Sequence, residues 1–350
     1  MNMTDKTDIK SLSIQELRAQ FAALGEPAFR AGQVFSWLHQ KRAQSFDEMT
    51  NLSKSLRGAL AEHFYIPYIT IKQRLVSAID GTVKYLYELE DGETVEAVFM
   101  RYHHGNSLCI STQVGCRMGC TFCASTLGGC VRNLTAAEML CEIHAAEQDT
   151  QEKVSSLVLM GIGEPLDNYD NVVRFLQLLS DENGMNMSTR HVSLSTCGLV
   201  PRIYDLAEHR FGLTLSVSLH APNDEIRGRT MPVNRRYPID ELLTACRHYT
   251  QATSRRISFE YALIDGVNDS EQNASELAKR LKGMLCHVNL IPVNPVTERD
   301  FRASTRDAIR RFTTVLEHAG IVVTVRRTLG VDINAACGQL RREGKKTGAQ

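Results

Sequence analysis

No apolar run in this 350-residue sequence approaches the length of about eighteen residues that a membrane-spanning helix needs, which excludes a membrane partner. The opening Met1-Asn2-Met3-Thr4-Asp5-Lys6 is polar and lacks the apolar core of a signal peptide, so the chain is expected to stay in the cytoplasm. Net charge is missing as well. Lys+Arg and Asp+Glu number 40 each, and the overall balance gives no hint of a nucleic-acid partner. Neither an internal repeat nor a low-complexity segment is present, which argues against a solenoid or a disordered array. What remains is a globular chain of ordinary hydrophobic content, 43%, long enough for one large domain with an appendage or for two domains. Ten cysteines in a reducing compartment are poor candidates for structural disulfides, so metal and catalytic roles gain weight.

Three of those cysteines lack a fourth partner. Cys116, Cys120 and Cys123 stand in Gly115-Cys116-Arg117-Met118-Gly119-Cys120-Thr121-Phe122-Cys123, a CxxxCxxC spacing. The next cysteines, Cys109 and Cys130, each lie seven residues outside and extend no zinc-knuckle pattern. Three thiolates can hold three irons of a [4Fe-4S] cubane and leave the fourth iron open for chemistry. This spacing resembles that of radical S-adenosylmethionine (AdoMet) enzymes, in which the open iron chelates AdoMet and feeds it an electron.

Periodicity organises the rest of the chain. Residues 8 to about 65 read as helices, with Ser13 as an N-cap and Phe29, Val34, Phe35, Trp37 and Leu38 spaced for a buried face. From Ile69 to Met100 the period changes to two, with Asp80-Gly81 and Asp91-Gly92 as turns, which predicts a small antiparallel sheet. Beyond residue 105, short apolar strands alternate with helical stretches; the strands are expected at Leu108–Ser111, Ser156–Met160, His191–Ser195, Leu213–Ser218, Ile257–Leu263 and Val288–Ile291. Six βα units imply an α/β fold, a partial (β/α)6 TIM-like barrel whose ligands gather on the loops after the strands. The expected division is 1–68 helical, 69–102 antiparallel, 103–335 barrel core and 336–350 C-terminal segment.

Informative loops fall at those strand ends. Gly161-Ile162-Gly163-Glu164-Pro165 follows the second strand; Gly163 offers close backbone approach to an amino group and Glu164 a carboxylate for an ammonium. Ser195, Ser218, His220 and Asn294, with Leu219 beside His220, stand at later strand ends and suit the carboxylate, ribose or adenine of a cofactor. Cys337 sits among small residues in Asn334-Ala335-Ala336-Cys337-Gly338-Gln339, where another molecule could come close. Residues 301–350 carry eight Arg and two Lys against two Asp and two Glu, a net of +6 that includes Arg326-Arg327, Arg341-Arg342 and Lys345-Lys346. Such a tail is either a solvated end or, given an RNA substrate, a phosphate contact.

Ser111-Thr112-Gln113-Val114-Gly115-Cys116 through Cys123, Gly163-Glu164-Pro165-Leu166, Phe259-Glu260-Tyr261, Gly266-Val267-Asn268-Asp269-Ser270, His287 to Pro292 and Ala335 to Leu340 together resemble the RlmN/Cfr family, over about residues 20–342. The resemblance implies a radical AdoMet methyltransferase acting on an adenine of 23S rRNA, at C2 in the RlmN branch, which in bacteria also takes a tRNA anticodon-loop adenine, and at C8 in the Cfr branch. Pro165 and Ile291-Pro292-Val293-Asn294-Pro295 look like the RlmN branch. It further implies two AdoMet per turnover, Cys337 as the methyl-carrying cysteine, Cys109 as the thiol that resolves a covalent RNA adduct through a transient disulfide with Cys337, and Glu96 as proton acceptor. Cys116, Cys120 and Cys123 become the cluster ligands, a low-potential donor such as flavodoxin or ferredoxin supplies electrons, and the helical segment with Arg30, Lys41, Arg42, Lys54 and Arg57 becomes an accessory RNA-binding unit. Two other readings compete: from another class, a metal-stabilised RNA-binding module without catalysis, and among radical AdoMet enzymes, a different reaction such as glycyl-radical activation, which needs neither Cys337 nor Cys109.

Overall fold

Helix formation at the start of the chain is locally encoded. Ser13 caps α1 (Ile14–Ala23): its Oγ accepts from the Glu16 N–H at 3.2 Å, and Glu16 Oε2 accepts from the Ser13 N–H at 2.7 Å. Helices α2 (Ala28–His39) and α3 (Lys54–His63) follow, and the short strands β1 (Thr7–Asp8) and β2 (Phe64–Tyr65) pair in parallel to tie the ends of the unit together. Val34, Phe35 and Leu38 are buried as the spacing predicts, and Trp37 is half-buried against the same core, which also takes in Leu17 and Phe21. Phe29 is not: it is 60% exposed at the first turn of α2, stacked under the Arg30 guanidinium, because α2 turns its later residues inward and leaves its first turn in solvent. The computed structural model describes residues 6–342.

The antiparallel strands β3 (Ile69–Val76), β4 (Val83–Leu89) and β5 (Thr94–Tyr102) are joined by turns at Gly81 and Gly92, both in the left-handed region. They do not form a separate sheet. β5 pairs with β6 (Gly105–Cys109) in the register Val98↔Cys109, so the meander is the hydrogen-bonded extension of the barrel sheet. Between β6 and the next barrel strand, β7 (Gln113–Gly115) and β8 (Cys130–Asn133) make a two-stranded clasp around the cysteine loop.

The remaining strands are β9 (Val154–Leu159), β10 (Val192–Thr196), β11 (Thr214–Ser218), β12 (Ile257–Leu263), β13 (Cys286–Pro292) and β14 (Val322–Val325). With β6 they form a parallel array, β6-β9-β10-β11-β12-β13-β14, within a ten-stranded sheet. Helices α4 (Ala136–Thr150), α5 (Tyr169–Ser180), α6 (Val200–Glu208), α7 (Asp224–Thr230), α8 (Ile239–Thr253), α9 (Glu271–Leu281) and α10 (Arg306–His318) make the crossovers. The six expected barrel strands are all present: β12 has the expected ends, and the others are displaced by at most three residues at either end. A seventh, β14, was not foreseen; it is an edge strand with exposed Val322 and Val325, so it lacks the alternation that half-burial produces. Apolar side chains of the N-terminal helices, the meander and the barrel join in one continuous core. No helix among the described residues is long and apolar enough to cross a membrane.

Candidate active site

A cleft of about 980 Å³ opens over the C-terminal ends of the parallel strands. Cys116, Cys120 and Cys123 line one wall; Gly163, Glu164, Ser195, Ser218, His220 and Asn294 line the others, and Cys337 closes it from the C-terminal segment. The cysteine loop is shaped by a close backbone approach: Gly115 has φ +79°, and a Cβ there would lie 1.9 Å from the Gly129 carbonyl oxygen. Cys116 N–H donates to that same carbonyl at 2.8 Å, and Thr126 Oγ1 donates to the Cys123 carbonyl at 2.9 Å. Burial pushes all three thiols up, Cys116 to about 12, so each keeps its proton until a metal replaces it. Among the described residues no three His, Cys, Asp or Glu side chains converge closely enough for a single metal ion. Three thiols on one CxxxCxxC loop, all lining the same cleft, fit a [4Fe-4S] cluster that keeps one iron open.

The strand-end groups are held by hydrogen bonds rather than left loose. Glu164 Oε2 accepts from Cys197 N–H at 2.7 Å and Oε1 from Leu166 N–H at 3.0 Å, while burial raises its pKa above the usual carboxylate value. The Thr196 and Cys197 side chains also act on this carboxylate, which fixes its place on the cleft wall. Gly163, at φ +107°, packs on Gln113, whose Cβ would be 2.6 Å from a side chain placed there; the glycine answers first to this packing. His220 sits in the left-handed region at φ +54°, and buried Asn268 pins it by donating to the His220 and Ala262 carbonyls, each at 2.7 Å. Its Nδ1 accepts from Ala262 N–H at 2.8 Å, which leaves the ring proton on Nε2, and burial lowers its pKa to about 3. Leu219 is different: its side chain is fully buried and does not line the cleft, and its N–H donates to the Glu260 carbonyl at 3.1 Å.

Beneath the loops lies Arg227, 0% exposed, its guanidinium held by carbonyl oxygens. Its guanidinium donates to the carbonyls of Cys197 (2.6 Å), Leu219 (3.2 Å) and Ser218 (3.3 Å) and to Asn234 Oδ1 (3.0 Å), fastening the loops after β10 and β11 together. Glu260, on β12, also lines the cleft, its carboxylate fixed by Ser258 Oγ and Asn289 Nδ2, each at 2.7 Å.

Cys337 is shared with a second cavity of about 530 Å³, which contains Cys109; Met160, Ile291, Asn294 and Arg326 also border both. The segment that carries Cys337 is strapped down residue by residue. Ala124 N–H donates to the Gly338 carbonyl at 2.8 Å, Ser125 Oγ to the Leu340 carbonyl at 2.7 Å, Asn294 Nδ2 to the Cys337 carbonyl at 3.0 Å and Gln339 Nε2 to the Pro295 carbonyl at 3.0 Å. Cys109 is buried, with its thiol pushed up to about 12 by burial first and by Cys337 second, which keeps it protonated and unreactive at rest. Both thiols are free. Glu96 lines neither cavity: it is buried under the strap, 2.7 Å from Lys84 Nζ and accepting Arg341 N–H at 2.7 Å, and desolvation raises its pKa.

The structure thus gathers the three cysteines of the CxxxCxxC loop, the strand-end polar groups, Cys337 and Cys109 around two adjoining cavities, and leaves Leu219 and Glu96 behind their walls. Sequence reasoning missed Arg326, Glu260, Cys197 and Arg227. Arg326 was read as part of a basic tail; it instead turns inward, its charge favoured first by Cys337. Arg341 and Arg342 pair with Glu298 and Glu93, whereas Lys345-Lys346 lie outside the described residues.

A parallel-strand barrel with an open three-cysteine loop defines a radical SAM enzyme, and the comparisons agree. Residues 110–278 match the radical SAM superfamily, and residues 7–66 match the ribosomal RNA large subunit methyltransferase N-terminal domain. The chain is 56% identical over 339 residues to a probable dual-specificity RNA methyltransferase RlmN of Alkaliphilus oremlandii, covering 97% of this chain and 98% of that one. A relative of the same name from Lachnoclostridium phytofermentans is 53% identical over 341 residues, covering 97% and 96%. The crystal structure of a radical SAM methyltransferase from Sphaerobacter thermophilus superposes with a TM-score of 0.90 at 45% identity, covering 95% of this chain and 99% of that chain. This chain belongs to the RlmN family of radical SAM methyltransferases.

Proposed function

We propose that this enzyme methylates C2 of an adenine in 23S rRNA and of a tRNA anticodon-loop adenine, in the cytoplasm, through a methylated Cys337. The observation that carries the reading is the position of Cys337 between two cavities, one beside the cysteine loop and one beside Cys109. Cys116, Cys120 and Cys123 would hold a [4Fe-4S] cluster, with Gly163, Glu164, Ser195, Ser218, His220, Asn294 and the backbone of Leu219 around AdoMet. When bound and reduced by a flavodoxin or ferredoxin, the cluster and two AdoMet per turnover supply a methyl group and a 5′-deoxyadenosyl radical.

C2 of adenine lies between two ring nitrogens and is electron-poor, so a cationic methyl donor cannot attack it directly. Cys337, a soft sulfur nucleophile beside the Arg326 cation, would take the methyl first, with S-adenosylhomocysteine as the leaving group. That methyl would then lose one hydrogen atom to the 5′-deoxyadenosyl radical, and the carbon left on Cys337 would bond to C2 while one electron returns to the cluster. Glu96, buried behind the cavity wall next to Val98 and held by Lys84 and Arg341 N–H, would accept the C2 proton once the strap at Arg341 shifts. The Cys109 sulfur would then attack the Cys337 sulfur, giving up its proton and forming the disulfide as the bond from Cys337 to the carbon breaks; that carbon keeps the electron pair and takes a proton to become the methyl group, and a dithiol reductant reopens the disulfide. The helical unit 1–68 would aid RNA binding, although Arg42 and Arg57 already pair with Glu147 and Asp47 and so offer less free charge than their number implies.

Anaerobic reconstitution tests this. The protein should take up about four irons and four sulfides per chain, and Cys120→Ala should lose both the iron and 5′-deoxyadenosine formation. Digested RNA product should comigrate with 2-methyladenosine; comigration with 8-methyladenosine would move the chain to the Cfr branch, and one zinc without sulfide would overturn the enzyme reading.

A further inference from the structure

We infer that the β5–β6 hairpin tip, Tyr102-His103-His104, is a stacking platform for the unpaired nucleotide next to the target adenine, an inference that rests on the RNA substrate proposed above. Side chains alternate along β5, so Glu96, Val98, Met100 and Tyr102 share one face. Val98, Met100 and Tyr102 all line the second cavity, which gives that face a direction: Val98 sits opposite Cys109 in register, and Tyr102 stands at the lip. The Tyr102 hydroxyl leans back along the strand and donates to Met100 Sδ at 3.6 Å, so its polar end faces the cavity that holds Cys337 while its ring stays at the lip, where the nucleotide beside the one at Cys337 would pass.

The tip is shaped for a flat partner. The Tyr102 and His104 rings stack at 5.2 Å with an interplanar angle of 15°, and His103 meets His104 edge-on at 4.9 Å. Tyr102 is 39% exposed, and both histidines are exposed. The two histidine rings and the outer part of the tyrosine ring lie in solvent at a hairpin turn, and ring faces beside a cationic wall are what unpaired bases bind. Arg326 and Arg327 supply that wall, lining the same cavity, where phosphates would run.

The platform is also rigid. Arg101 is held by Glu152 at 2.6 Å and by the Gly81 carbonyl at 2.7 Å, while Asn106 Nδ2 donates to the other Glu152 oxygen at 3.2 Å, so one carboxylate staples both flanks of the turn. Gly105, at φ +127°, presses on β9, where a Cβ would lie 2.2 Å from Ser155 Oγ. Rings fixed before binding lose little entropy when a base stacks on them.

The test uses reconstituted full-length protein and an RNA hairpin with one unpaired loop adenine, carrying 2-aminopurine at either neighbouring position. Wild-type binding should quench the probe on one side of the adenine. Tyr102→Ala should abolish that quench and weaken hairpin binding about tenfold, Tyr102→Phe should keep both, and His104→Ala should fall between, with iron content equal in all four proteins. A Tyr102→Ala protein that binds and quenches like wild type overturns the platform alone. A wild-type protein that does not bind the hairpin overturns the RNA reading, and the platform with it.

Discussion

The cavity beside the cysteine loop is walled by thiols, the Glu164 and Glu260 carboxylates and a neutral imidazole, whereas the cavity beyond Cys337 is walled by apolar side chains and the Arg327 guanidinium, with Arg326 on the wall that the two share. One suits a sulfonium cofactor with a cationic amino group; the other suits a polyanion that brings an aromatic ring. Cys337 faces both, and that is the lesson of the contrast: a single sulfur can exchange carbon between two molecules of opposite charge without either entering the other's space. The two walls also differ in how they hold a proton. Burial keeps His220 neutral and Cys109 protonated, so neither adds charge to its cavity at neutral pH.

Breaking the contrast at its centre should have the largest effect. With Cys109→Ala, the adduct on Cys337 has no resolving thiol, and a denaturing gel of protein from cells should show an RNA-shifted, ribonuclease-sensitive band. Cys337→Ala, alone or combined with Cys109→Ala, should show none. A shifted band that persists without Cys337 would place the methyl carrier elsewhere.

Next in size is the charge on the RNA-side wall. Arg326→Gln removes the cation whose charge Cys337 favours most, and methyl uptake by Cys337, followed by mass spectrometry with AdoMet alone, should slow about ten- to a hundredfold, the range of one charge-assisted interaction. Arg327→Gln should leave that step untouched and weaken RNA binding, which separates the two arginines that look alike in the sequence.

Legibility divides along the same line as the charge. The cysteine-loop cavity is built from contiguous motifs and strand ends, so CxxxCxxC, Gly163-Glu164 and the polar strand ends could be read in order. The second cavity draws on β5, β6, the end of β14 and the strap, segments more than two hundred residues apart, and nothing local in Arg326-Arg327 tells which guanidinium turns inward. β14 itself escaped notice because an exposed edge strand has no alternation to display, and Phe29 was placed inside because helical spacing gives a face but not its distance from the end of the buried stripe. Continuity of the meander with the barrel depends on one pairing, Val98↔Cys109, between strands that each looked complete alone.

A proton balance sharpens the comparison on the cofactor side. The His220 pKa falls from 6.5 to about 3 on folding, so below 6.5 the unfolded chain binds a proton there that the folded chain refuses. Stability must therefore drop as pH falls from 6.5 towards 3, by up to about 1.4 kcal/mol per pH unit from this residue. Glu96 and Glu164, whose pKa values are raised, act in the opposite sense, so the residue is best isolated by substitution. His220→Gln can still accept from Ala262 N–H but does not titrate. Urea unfolding should show wild type losing about 2 kcal/mol more than His220→Gln between pH 7 and pH 5. Equal losses would mean that the ring is charged in the folded protein.

The smallest expected effect concerns the joint itself. Asn294 borders both cavities, and its amide donates to the Cys337 carbonyl at 3.0 Å, the only side-chain hydrogen bond recorded to that residue's backbone among the described residues. Asn294→Ala removes one neutral hydrogen bond, worth about 1 kcal/mol, while Ser125 and Gln339 still hold the strap on either side. Global stability should hardly move. Amide exchange over residues 336–340 should quicken about fivefold, as local opening becomes easier by that amount, and exchange in the cysteine loop should stay unchanged because Ala124 still binds the Gly338 carbonyl. If the loop and the strap quicken together, the two walls open as one unit, and the separation of the cavities at Cys337 is a property of the closed state only.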